Sequence, residues 1–156
     1  MALALVSMSV PTLAIGQSSN SATTDAAVAD LIVPLFVEAC VENAPRFRRA
    51  GGVFIDHAMI AVSEGQWISP DRSIIAEQVN DPEQRSCTVA SAGQDPKAFE
   101  LRLLRELDKE HKGDWDLRSN GQLQVISMNM NSARLHMIAH SPRPNLVSLT
   151  ALTKKD

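Results

Sequence analysis

Four side chains toward the C-terminal end, Met128, Met130, His136 and His140, carry the thioether and imidazole donors that suit copper. They lie on two stretches of alternating pattern joined at Asn131-Ser132, so the turn decides their geometry. A two-residue loop pairs Met130 with Ala133 and sends the histidines and methionines to opposite faces. A three-residue loop pairs Met128 with His136 and brings sulfur and imidazole onto one face. The residues themselves leave both registers open. The competing reading makes the methionines core and the histidines an ordinary solvent face.

Arg46, Arg48 and Arg49 flank Phe47 and form the dense positive cluster of the chain. Guanidinium forks match the oxygens of a phosphate or an acidic partner. A solvated helix end would look the same. Asp56-His57 has the composition of an acid–base pair, but neighbours on a helix diverge by about 100° and do not face each other. His111 falls in the last turn of a helix, where a cation meets the negative dipole end. No Gly-rich phosphate loop, G-x-S-x-G, H-E-x-x-H or EF-hand pattern occurs. The sequence therefore names no catalytic residue and implies no cofactor.

Cys40 and Cys87 are the only cysteines. Their meaning depends on compartment, and the start of the chain speaks to that. Met1 to Gly16 is uncharged and apolar or small apart from Ser7, Ser9 and Thr12. It is shorter than the roughly 20 residues of a membrane span and has the apolar core and small-residue A-x-G end of a secretory signal peptide. Cleavage is expected before Gln17, although no Lys or Arg supplies the usual positive n-region. Export to the periplasm or the medium makes the two cysteines a disulfide. Closing a loop of about 48 residues would stabilise the fold by about 4 kcal/mol on the chain-entropy model.

Residues 17–24 read as a short polar leader, and residues 25–156 as one domain. Thr24 is the expected cap of a first helix with Val28, Leu31, Ile32, Leu35, Phe36 and Ala39 on one stripe. Pro34 sits off that stripe, and Asn43 and Pro45 end the element. A second helix is expected over 53–63 with Ile55, Met59, Ile60 and Val62 inward. Residues 73–79 and 85–91 read as a hairpin around Asn80-Asp81-Pro82-Glu83. Asp95 then caps a helix with Pro96 at its first position and Gly113 just past its end. Beyond it the period is 2, with strands at 114–118, 122–130, 133–140 and 145–153 and a hairpin turn at Asn120-Gly121. The expected order is α-α-β-β-α-β-β-β-β. That is an α+β fold, an antiparallel meander of about six strands with helices on one face. No internal repeat is visible.

The 156 residues are 44% hydrophobic and 21% charged, with 15 Lys and Arg against 18 Asp and Glu and a net charge of -3. That composition excludes a wholly disordered chain, and its lack of positive surplus excludes a basic nucleic-acid binder. Aromatic residues are 4% with no tyrosine, which argues against stacking platforms for bases or sugars. The resulting functional reading is an exported, disulfide-stapled, non-enzymatic binding or accessory protein for an unknown protein or small ligand. Two alternatives are a periplasmic copper-handling protein or enzyme using the His136/His140 face, and an inhibitor or interaction protein that docks through its sheet.

Overall fold

The computed structural model describes residues 18–81, 83–119, 123–130 and 133–154. The expected signal segment 1–16 and its cleavage point lie outside the described residues, as do the turns at Asn120-Gly121 and Asn131-Ser132 themselves. The first helix, α1, spans Ser18–Phe36. It begins ahead of the cap expected at Thr24.

From Val28 onward the helix follows its apolar stripe, with Ile32, Leu35 and Phe36 buried, whereas Leu31 is exposed. The helix runs through the exposed Pro34 and then widens into one π-helical turn at Val37–Val41. A π turn inserts one residue and rotates the side chains beyond it about the helix axis. Here it buries Val37, Ala39, Cys40 and Val41 together. The Asn43 side-chain amide closes the turn by donating to the Glu38 carbonyl at 2.8 Å.

The second helix departs from the expected 53–63. Helix α2 is short, Ala50–Asp56, and the chain reverses at Ala58, whose φ is 60°. Two strands come next, β1 (Ile60–Ser63) and β2 (Gln66–Ile68). The β-branched run Ile60-Ala61-Val62 favours strand, and Glu64-Gly65 supplies the turn. Of the four residues expected to face inward, only Met59 is buried. Gly51 and Gly52 lie inside α2. A Cβ on Gly51 would lie 2.7 Å from the Trp67 indole, so glycine is what lets that ring pack close.

Strands β3 (Ile74–Asn80) and β4 (Gln84–Ala92) form the expected hairpin. Helix α3 (Pro96–Glu110) begins at Asp95, whose carboxylate accepts from the Lys97 amide at 2.9 Å. Strands β5 (Trp115–Ser119), β6 (Gln124–Met130), β7 (Ala133–Arg143) and β8 (Leu146–Lys154) complete the chain. The eight strands among the described residues form one antiparallel sheet, in the order β1-β2-β3-β4-β8-β7-β6-β5. The fold is α+β with eight strands where about six were expected, and the two additions are β1 and β2.

That strand order is two four-stranded meanders meeting at β4 and β8. Thr88 and Thr150 pair at the junction, with their hydroxyls 3.1 Å apart. Each meander comes after a helix, and α1 packs on α3 over one face of the sheet. All four phenylalanines, at 36, 47, 54 and 99, are fully buried in this layer. Each such burial contributes roughly 1.5–3 kcal/mol. The phenylalanines are therefore spent on the core.

Candidate functional site

The disulfide is present: Cys40 in the π turn and Cys87 in β4 are bonded, with Cα atoms 5.5 Å apart and both residues fully buried. It ties the end of the first helical segment to the centre of the sheet. The loop after Cys40 is thereby held against the β3–β4 end of the fold. Thr153 in β8 adds a second tether, its hydroxyl donating to the Pro45 carbonyl at 2.9 Å.

Phe47 organises that loop. Its side chain is fully buried and its backbone has φ 52°, a left-handed conformation that costs a non-glycine residue about 1–3 kcal/mol. Burial of the ring offsets that strain. The Phe47 amide donates to the Asn43 carbonyl at 2.7 Å and its carbonyl accepts from the Ala50 amide at 3.0 Å. With Phe47 anchored inward, Arg46 and Arg48 on either side project outward and are exposed.

Strand pairing brings a third arginine to them. Asn80 pairs with Arg85 at the end of the β3–β4 hairpin, and Arg85 lies two residues along the strand from Cys87, on the same face. Arg46, Arg48, Asn80 and Arg85 line a cleft of about 380 Å³. No carboxylate is among these lining residues. The three guanidinium groups make no ion pair or hydrogen bond with any described residue. Arg102 and Arg134, by contrast, are each bonded to carboxylates, Arg102 to Asp30 and Glu106 and Arg134 to Asp116.

Arg49 turns elsewhere. With Arg48 it lines a neighbouring cleft of about 520 Å³ that also holds Glu38, Glu42 and Asp56. The linear trio of the sequence is thus divided between two clefts, with Arg48 on the wall between them. His57 does not face Asp56; its Nε2 lies 2.8 Å from Glu38 Oε2 across the π turn. Both partners are about half exposed, and such a pair adds little to stability.

On the other side of the sheet, the register distinguishes the two geometries possible at 131–132. Met130 pairs with Ala133, Met128 with Leu135, and Ser127 with His136. The methionines face the helices, where Met128 is buried, while His136 and His140 sit on the uncovered face. The copper set of Met128, Met130, His136 and His140 is therefore not brought together, because the pairing of Met130 with Ala133 keeps sulfur and imidazole on opposite sides. Among the described residues no three or more His, Cys, Asp and Glu side chains converge.

The uncovered face has polar order of its own. The Ser127 hydroxyl lies 2.9 Å from His136 Nδ1. Arg134 donates to Asp116 at 2.7 Å, which holds that carboxyl below the ordinary carboxylate range, and Arg118 adds a longer contact of 3.3 Å. A cleft of about 480 Å³ opens here, lined in part by Trp115, Asp116, Ser127, Asn129 and Arg134. His111, expected at the end of α3, is its C-terminal cap residue, and its amide bonds the Leu107 carbonyl.

Arg85 and Asn80 were marked only as parts of the 73–91 hairpin and not as candidate site residues. One signal was present: once Cys40 and Cys87 are bonded, residue 85 must share the bridge's face of β4 and meet the segment after Cys40. No family model, curated protein or solved structure matches the chain.

Proposed function

We propose that this is an exported, disulfide-stapled binding or accessory protein, non-enzymatic, that works in the periplasm or outside the cell. The observation that carries the reading is the buried Cys40–Cys87 bond, which lies under the surface where the arginines converge. A buried disulfide between a helical segment and a central strand is a structural staple and belongs to an oxidising compartment. What it holds in place is a cleft lined by arginine and asparagine, which are binding side chains rather than nucleophiles or general bases. No helix among the described residues is long and apolar enough to cross a membrane. The test is to express the full chain, fractionate the cells and take intact masses without reduction. The expected product lies outside the cytoplasm, begins at Gln17 and is lighter than the dithiol by two hydrogens. A cytoplasmic chain that begins at Met1 and carries two alkylatable thiols would end the proposal.

A second reading, an interaction or inhibitory protein that docks through its sheet, is favoured by one row of side chains. Ile60, Ile68, Ile75 and Ala90 align across β1 to β4 on the uncovered face, with Ile60 54% and Ile75 42% exposed. Ile75→Lys should leave unfolding unchanged and remove any complex trapped by crosslinking in the exporting cell. The same complex recovered with the variant would discard this reading.

A further inference from the structure

We infer that the cleft between the 46–48 loop and the β3–β4 hairpin is a binding site for a single phosphoryl group, free or carried on a small molecule or lipid. The inference rests on the binding-protein reading above and supplies its ligand class. Three cations, Arg46, Arg48 and Arg85, are gathered at one opening without an anionic partner among the described lining residues. Like charges repel, so such a gathering is unfavourable unless something else fixes it. The fold fixes it three times: by the buried Phe47 between two of the arginines, by the Cys40–Cys87 bond, and by the Asn80–Arg85 strand pair. The groups are thus preorganised with their donors unspent on any described residue.

The donor set selects the ligand. Guanidinium forks bind tetrahedral oxyanions bidentately, and the Asn80 amide adds a neutral donor. The volume of about 380 Å³ admits a phosphoryl group with a small attached fragment. No aromatic ring lines the cleft, so a nucleobase would find nothing to stack on. Glu38, Glu42 and Asp56 line the adjoining cleft and would repel a long polyanion running past the site. The recognised unit is therefore one phosphoryl group and not a nucleic-acid backbone.

Isothermal titration of the oxidised protein at low ionic strength, with inorganic phosphate and separately with glycerol phosphate, tests this. Flotation with phosphatidylglycerol or phosphatidylcholine vesicles distinguishes a lipid-borne phosphoryl group from a free one. Saturable one-to-one binding is expected, weakened by added salt. Arg85→Gln should weaken it about tenfold or more, the usual loss for a charge-assisted hydrogen bond. Arg46→Gln, at an exposed position, should do the same if Arg85→Gln disturbs folding. Arg143→Gln removes the same charge at the opposite end of β7 and β8 and should change binding by less than about twofold. Binding only to phosphatidylglycerol vesicles, lost in Arg85→Gln, supports the site and assigns a lipid source. Absence of binding to every phosphoryl probe overturns it, as do equal losses in Arg85→Gln and Arg143→Gln. A protein found in the cytoplasm that still binds phosphate at Arg85 would refute export and leave this site standing.

Discussion

Reducing the Cys40–Cys87 bond probes the staple while changing the core only by two added hydrogens. The bridge spans a sequence separation of 47 residues. On the chain-entropy model a closed loop of that size restricts the unfolded chain by about 13–14 cal/mol/K, or about 4 kcal/mol at 25 °C. Both cysteines are fully buried, so the reduced thiols remain packed and the native state changes little. The loss therefore falls almost wholly on the unfolded side. For a domain of this size it corresponds to a melting point lower by roughly 10–20 °C. Urea unfolding monitored by tryptophan fluorescence, with and without a phosphine reductant, is the assay. The expected result is a lower midpoint together with a steeper dependence on urea, since the unlinked unfolded chain exposes more surface. Equal midpoints, with reduction verified by mass, would refute the reasoning. So would a lower midpoint traced to a rearranged native state, because the loss would then lie on the folded side.

Two further outcomes come from local geometry. Gly65 has φ 71°, and a Cβ there would stand 2.5 Å from the Gln78 carbonyl oxygen, a backbone atom that cannot swing aside. Gly65→Ala should therefore destabilise by about 1–3 kcal/mol in urea unfolding, more than Gly52→Ala, whose Cβ would meet nothing within 4 Å. Asp71 accepts hydrogen bonds from the Ser69 and Ser73 side chains and from the Ser73 amide, which lower its pKa from 3.8 to about 2. A carboxyl depressed in the folded state stabilises it above the unfolded value and loses that contribution as pH falls from near 4 through about 2. Carbon-detected titration of Asp71 should show the low value, and a midpoint near 4 would show that the turn at 69–73 does not hold these bonds in solution.

Much of the architecture was legible because its signals were local and repeated. Helix α3 carries a cap at Asp95, a proline at its first position and Gly113 beyond its end, and it lies where those signals place it. The C-terminal strands alternate for long enough to be read by period. Strands β1 and β2 were missed because they are short, four and three residues, and β1 follows only three residues after a helix, with apolar residues on both sides of Asp56-His57. Alternation along the strand at 114–118 points Leu117 inward with Trp115, yet Leu117 is exposed because β5 is an edge strand of the sheet. The arginines at 46 and 48 were legible as a cluster. Arg85 was not, because its proximity depends on strand pairing and a covalent bond between distant positions.

The absence of a visible repeat has a structural cause that also bears on function. Both halves of the chain are a helix followed by a four-stranded meander, and they meet at Thr88 and Thr150. They differ in how the helix reaches its first strand. In the second half, α3 ends at Glu110 and β5 begins at Trp115. In the first half, α1 ends at Phe36 and β1 begins only at Ile60. The added connection contains the π turn with Cys40, the Phe47 loop with its arginines, and α2. A second copy of the architecture thus shows how short a link from helix to meander can be, and the added connection is more than that. Surplus backbone that is nonetheless buried at Phe47, bonded at Cys40 and tethered at Pro45 has been ordered against an entropic cost of about 1–2 kcal/mol per residue. Its burial answers that cost, but burial does not require arginines on both sides of the anchor. Their placement opposite Arg85 is the part of the connection that packing leaves unexplained and that the proposed phosphoryl site accounts for.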